Sequence, residues 1–438
     1  METFLRKKTN GSNFELKLLI PSLLISVIGI ITLLSTTIQS DGTFGDSTIV
    51  VKQLIFLLTG YFFYFLISRV DLSYSKYWQI ILPIYIVTLI SLILVLLVGP
   101  VINNAQRWLV IGGIQIQPSE FAKITVVFIT AFILSQKDKY NQWILLIISL
   151  LAVLPIALLI YLEPDGSMSV LVLAIWFFVA FTGLDDQLRN SVAVAIVLLG
   201  TLGFLLWSIL GSPIWLLLLL VGLIISIFGY YYRDKWRQFI VISFLISVVL
   251  GLASSVVWSS VLKDYQKGRI EVYLDPTKDT SDTGFNVNQA KIAIGSGKIF
   301  GKGFGNGTQS KRNFLPEYKT DFIFAAFAEE FGLVGTLSLL ILYFLIILTS
   351  LSRTITLGEQ PYFAMVMIGF TIKILLEVFI NIGTNTGVIP ATGIPLPLVS
   401  AGGSTTIVTL FSLGVIQSIM SHSTQVDDTD KIVQTYED

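Results

Sequence analysis

No cysteine occurs anywhere in the 438 residues. Disulfides, thiolate nucleophiles and cysteine-ligated zinc are therefore excluded. Histidine is almost as scarce: the single one, His422, lies just past the last apolar segment, where a solvated tail position is the simplest reading. Charge is thin as well, with 13% Asp, Glu, Lys and Arg against 54% apolar residues. A chain that must cover itself with water carries about twice that charge. Long polar linkers are missing too, since apolar stretches recur from Leu18 to Met420. One integral membrane domain over residues 1–438 accounts for all of this. Any catalysis must rest on carboxylates, Lys, Arg or hydroxyls.

What the sequence has in quantity is apolar runs of about twenty residues, the length a helix needs to cross the hydrocarbon. Twelve segments qualify: Leu18–Ile38, Val50–Ile67, Trp78–Val98, Pro118–Leu134, Trp143–Tyr161, Ser167–Thr182, Val192–Leu210, Ile214–Tyr230, Phe239–Val261, Phe322–Leu348, Tyr362–Ile382 and Thr405–Met420. The expected fold is all-α and polytopic. Arg6, Lys7 and Lys8 precede the first run, which lacks a small-residue cleavage site and reads as a retained helix. With the N-terminus inside, Arg69, Lys76, Lys137, Lys139, Arg189, Arg233, Lys235, Arg237 and Arg353 all fall on the cytoplasmic side. Arg107 is the main exception in the short outer loops, so the asymmetry supports an even helix count. The loop over residues 263–320 is then external, although it carries about ten Lys and Arg against about six acids. An exported basic surface of that size suits an anionic partner such as a diphosphate-linked lipid. A solvated face without ligand is the alternative.

Ionisable residues at membrane depth are costly and face the bundle interior or a wet cavity. Glu120 and Lys123 share a face in the first turn of the fourth segment. Pro118 suits the first helical position there, and Glu120 complements the helix dipole, so a structural role and a substrate-facing one both fit. Lys373 and Glu377 form a second pair at helical spacing, read as mutual neutralisation. Glu329 and Glu330 lie about two turns into the helix that begins near Asp321, and at least one should line a cavity. The stretch GKGFGNG, Gly301 to Gly307, looks like a phosphate cradle but lacks a P-loop ending; tight turns needing positive φ are the simpler reading. Gly387 to Thr405 carries three prolines and four glycines. Irregular backbone at that level must be buried in protein or line a cavity, which marks it as a wall of the site.

Taken in order, these segments resemble the SEDS family (shape, elongation, division and sporulation), in its RodA branch more than its FtsW branch. The resemblance rests on NAQRWLVIGGIQIQPSEFAK from Asn104, on Glu163-Pro164-Asp165, on Gln289 to Gly332 with AIGSGKIFGKGFGNGTQSKRNFLPEYKTDFIFAAFAEEFG, and on Asn381 to Ser404. It implies a peptidoglycan glycosyltransferase of cell-wall elongation in the bacterial cytoplasmic membrane. There the sugar hydroxyl of one lipid II molecule attacks the anomeric carbon of another and displaces undecaprenyl diphosphate. Lipid II, the growing glycan strand, membrane lipid and a class B penicillin-binding protein are the implied partners; no nucleic acid is expected. No cofactor is fixed by the resemblance, which leaves open a divalent cation, Mg or Mn, at the diphosphate.

Carried over by position, Asp321 in TDFIF matches the family's essential loop aspartate, and Arg107, Glu120 and Lys123 match its outer cavity charges. Lys302, Gln309, Glu317, Glu330 and Ser400, within the matching motifs, complete the expected substrate-binding set. Asp321 is the expected general base, because a hydroxyl is a poor nucleophile and neither thiolate nor outward-facing histidine is available. Asp at a helix start is also a favoured N-cap. Glu317 and Glu330 are the alternative bases. Three departures stand out. Two apolar segments near 192–230 exceed the family's usual ten and read as an inserted pair. GSMS follows Pro164-Asp165 in place of a leucine-glycine-threonine pattern, and Lys298 and Ala401 replace a glycine and an aromatic. A flippase for the same lipid, a division-type polymerase and a non-catalytic scaffold are the competing functions.

Overall fold

The computed structural model describes residues 14–38, 43, 45–102, 105–262, 267–270, 273, 283–308, 317–355, 357 and 360–437, leaving aside the side chains of 111, 232, 261, 283 and 422–437. The expected role of Gln309 and the tail position of the His422 side chain fall outside these described parts.

Every one of the twelve apolar segments is a helix. They are α1 (Leu16–Thr37), α2 (Thr48–Ser68), α3 (Trp78–Val98), α4 (Pro118–Leu134), α5 (Gln142–Leu162), α6 (Gly166–Gly183), α7 (Gln187–Leu210), α8 (Leu217–Tyr232), α9 (Arg237–Val256), α11 (Ile323–Ile355), α12 (Pro361–Thr386) and α13 (Gly403–Glu437). Between α9 and α11 the large loop contributes α10 (Thr283–Ser296). Eleven of the helices among the described residues have the length and composition to cross a membrane. Of the twelve apolar segments the one left out, α4, is 17 residues long. It is enclosed by α3, α5, α6, α12 and α13, so a largely protein-lined helix replaces a lipid-facing one. By contrast, Leu58 on α2 and Leu97 on α3 are 72% and 73% exposed, as lipid-facing side chains are in the absence of lipid. The chain is a multi-pass membrane protein.

A departure from all-helical structure is a short hairpin, β1 (Leu109–Ile111) and β2 (Ile114–Ile116), antiparallel with Leu109 opposite Ile116. Gly112 and Gly113 form its turn at φ +58° and +81°, the positive pair that a two-residue hairpin loop requires.

By contacts the chain divides into two compact units: Met1–Gly183 with Ser281–Asp438, and Leu184–Thr280. The second unit packs α7 against α8 and α9, and contains the segment read as an insertion. In the first unit, contacts define two ends. At one end Tyr362 donates to Ser75 and Arg353 pairs with Glu15 at 3.2 Å. At the other, the amide of Gln117 donates to Ser404 Oγ at 3.0 Å and Ser400 Oγ donates to the Thr320 carbonyl at 2.6 Å. The motifs singled out in the sequence converge on this second end.

The long helix α11 is interrupted at Gly332, with φ +64° and ψ −162°. A break frees carbonyls on one side and amides on the other, and buried backbone groups must find partners. The loop supplies them. Lys302 N and Gly303 N donate to the carbonyls of Glu329 and Glu330 at 3.0 and 2.9 Å. The amides of Leu333 and Val334 donate to Lys298 O and Ile299 O at 2.9 and 3.1 Å. The outer half of α11 is thus a short helix sewn onto the large loop.

Candidate active site

Asp321 stands two residues ahead of α11, where the loop enters the bundle. Its backbone carbonyl accepts from Asn381 Nδ2 and from Asn385 Nδ2, both at 2.9 Å. Asn385 Oδ1 accepts from the amide of Ala325 at 3.0 Å. That first-turn amide is the kind a preceding N-cap side chain would otherwise satisfy, so α12 caps α11 from across the bundle. Asn381 Nδ2 also donates to the Ile394 carbonyl at 2.9 Å, tying the junction to the proline-rich segment. From that segment Ser400 Oγ accepts from the amide of Leu396 at 2.8 Å while donating to Thr320, and Ala401 N donates to Lys319 O at 2.9 Å. Asp321 is only partly buried, on backbone held from two sides. Sequence reasoning missed the two asparagines as site residues, although polar residues four apart in an apolar helix were a visible signal.

Across the same end, the Arg107 guanidinium donates to the Pro164 carbonyl, and its Nε lies 3.6 Å from Asp165 Oδ2. Asp165 also accepts from the amide of Met168 at 3.2 Å, in the first turn of α6, and from Gln117 Nε2 at 3.5 Å. Glu163, in the same turn and outside both flanking spans, has no exposed surface, and among the described residues neither carboxyl oxygen has a hydrogen-bond partner. Burial first, then the neighbouring Asp165 charge, push its pKa up to about 9 against the opposing pull of Arg107. At neutral pH Glu163 is therefore a neutral acid.

Below these groups the two expected ion pairs merge. Lys123 Nζ lies 2.8 Å from Glu120 Oε2 and 2.6 Å from Glu377 Oε1, and Lys373 Nζ lies 3.0 Å from Glu377 Oε2. Lys373 donates onward to Thr409 at 2.9 Å. All four charged side chains are at most 1% exposed. Alternating signs along Glu120, Lys123, Glu377 and Lys373 give a neutral chain joining α4 to α12, which is how charge survives inside a membrane domain.

The glycine loop does hold carboxylates, but the chain's own. Thr308 N and Oγ1 donate to Glu329 Oε1 at 2.9 and 2.7 Å, and Lys302 Nζ lies 2.6 Å from the same oxygen. Glu330 accepts from Ser35 of α1 at 2.5 Å and from Gly307 N at 3.4 Å. Ser35 Oγ also accepts from Gly305 N at 3.0 Å. Gly301, Gly303 and Gly305 all take positive φ, as tight turns require. Both Glu329 and Glu330 are buried. Glu317 is exposed, with Thr320 Oγ1 donating to it at 3.1 Å.

The structure thus ties Asp321, Glu317 and Ser400 to the junction of the large loop with α11, sets Arg107 against Pro164 and Asp165, puts Glu120 and Lys123 in the buried charge chain, and places Lys302 and Glu330 within the loop's own network. Among the described residues, no three His, Asp or Glu side chains cluster closely enough to hold a metal ion. A divalent cation at the diphosphate would draw on the ligand's own oxygens.

A family model described as "Cell cycle protein", covering FtsW, RodA and SpoVE, matches residues 16–212 and 192–425. The chain belongs to the FtsW/RodA/SpoVE family. The peptidoglycan glycosyltransferase MrdB of Escherichia coli K12 is 35% identical over 344 residues, covering 77% of each chain. The peptidoglycan glycosyltransferase RodA of Treponema pallidum is 30% identical over 433 residues, covering 93% of this chain and 98% of its own. Among solved structures, a chain from a peptidoglycan synthase complex, reported for its coordination of polymerization and crosslinking, superposes with a TM-score of 0.65. At 24% identity over 94% of this chain and 98% of that one, it shows the shared fold.

Proposed function

We propose that this chain, a peptidoglycan glycosyltransferase by family, polymerises lipid II during wall elongation on the outer face of the bacterial cytoplasmic membrane. The observation that carries the reading is the anchoring of the Asp321 junction by Asn381, Asn385 and Ser400. A catalytic carboxylate must be held within about half an ångström of its working position, and backbone fixed from two elements does this.

In the proposed reaction Asp321 accepts the proton of the acceptor sugar's hydroxyl as that oxygen bonds to the donor's anomeric carbon. The bond from that carbon to the diphosphate breaks, and undecaprenyl diphosphate leaves with the electron pair. Arg107, 28% exposed at the same end, stabilises the departing charge. Glu120 and Lys123 hold α4 and α12 together beneath the site. The positive-inside asymmetry supports the outward placement of Asp321. Likeness to a chain of a peptidoglycan synthase complex supports a class B penicillin-binding protein as partner.

A flippase would also use intramembrane ion pairs. Reconstitution in liposomes with lipid II separates the two. The polymerase reading expects glycan chains with no other polymerase present, and transfer of lipid II across the bilayer without polymer would overturn it.

A further inference from the structure

We infer that Glu163 sits behind Arg107 as a neutral acid, and that this neutrality keeps the arginine's charge available for the diphosphate of the lipid-linked substrate. The inference deepens the proposed function and rests on the reading of Arg107 as a diphosphate ligand. Its basis is geometric. Glu163 is fully enclosed, with no hydrogen-bond partner at either oxygen among the described residues. An ionised carboxylate is not sustained in such a place, because water is excluded and no donor replaces it.

The charged groups bearing on Glu163 are Asp165, in its own turn, and Arg107, from the segment ahead of β1. Asp165 is already occupied by the Met168 amide, Gln117 and the arginine. Arg107 and Asp165 therefore balance one to one, while the guanidinium, held by the Pro164 carbonyl, keeps part of its surface open. With Glu163 neutral, an incoming diphosphate meets a balanced pair that can turn its cation outward. With Glu163 ionised, the cluster carries a net negative charge and repels the ligand. The burial-raised pKa of about 9 puts the change on the alkaline side of neutrality.

The test uses the full chain in nanodiscs, with undecaprenyl diphosphate as the probe and intrinsic tryptophan fluorescence as the readout. Wild type should lose affinity by about tenfold between about pH 7 and about pH 10, the scale of one unscreened charge beside the ligand. Glu163→Gln should bind as wild type does at the lower pH and lack this loss, so that the two affinities differ by about tenfold at the upper pH. The probe's own titration is common to both proteins, so only the difference between the curves counts. In turnover with lipid II the same difference should appear in KM rather than kcat. An equal alkaline loss in both proteins would overturn the inference, as would a Glu163→Gln protein of normal thermal stability that fails to bind at neutral pH. The two readings fail separately: absence of polymer from wild type with the Glu163-dependent pH curve intact sinks the polymerase, whereas polymer with identical curves sinks the role of Glu163.

Discussion

Lys123 is the member of the buried chain with most to lose. Its ammonium is 2.8 Å from Glu120 and 2.6 Å from Glu377, with essentially no exposure on any of the three. Replacing it with methionine keeps the volume but leaves two carboxylates facing Lys373 alone, so a neutral chain becomes net negative. Removing one partner of a buried pair costs about 3–5 kcal/mol, most of it the uncompensated charge left behind. Against a folding stability of about 5–15 kcal/mol, that should cut the yield of monodisperse protein severely. Glu120→Gln added to Lys123→Met restores neutrality, leaving Glu377 with Lys373 at 3.0 Å. The double variant should therefore be less destabilised than the sum of the single changes, with a coupling of about 1–3 kcal/mol. Fluorescence-detected size exclusion of fusion proteins, with apparent Tm in detergent, measures all four corners of the cycle. Additive losses would refute the account, because they would mean that Lys123 and Glu120 do not share a charge balance.

Gly301→Ala should be far more damaging than Gly112→Ala. A Cβ on Gly301 would meet the Glu330 carbonyl at 2.0 Å at φ +78°, whereas Gly112 at φ +58° has nothing within 4 Å. The hairpin variant should lose only about 1 kcal/mol of backbone preference, and the loop variant should in addition unseat the pairing across Gly332, seen as faster proteolysis of the large loop. Tags in the 263–320 loop should be reached by a membrane-impermeant label from outside intact cells, and tags after His422 only from inside. Finding both on one side would overturn the even helix count.

The helices were legible because the bilayer imposes one length and one composition on any segment that crosses it. The hairpin went unread, although Gly112-Gly113 between two short apolar runs is a turn signal in itself. Each ion pair could be read from its spacing of three or four residues, since that depends only on helix geometry. Their fusion through Lys123 and Glu377 could not, because it joins residues 254 positions apart. The glycine loop shows the converse problem: its positive-φ turns were legible, but the donation of the Gly307 and Thr308 amides to Glu330 and Glu329 was not. Nothing local in the sequence shows the break at Gly332 that brings those residues under the loop. Glu163 was visible as part of a motif, but its protonation depends on burial, which only the packed structure supplies.

The most direct measurement is lipid II polymerisation by Asp321→Asn. Asparagine nearly matches aspartate in volume and caps a helix about as well, and the bonds to Asn381 and Asn385 use the backbone carbonyl, which the change leaves in place. The variant should fold and purify like wild type. It cannot accept the attacking hydroxyl's proton, and positioned general bases contribute typically about 10²–10⁴-fold, so polymer should fall to the background of the assay. Polymerisation within a few fold of wild type by well-folded Asp321→Asn would contradict the account, returning Asp321 to a structural role.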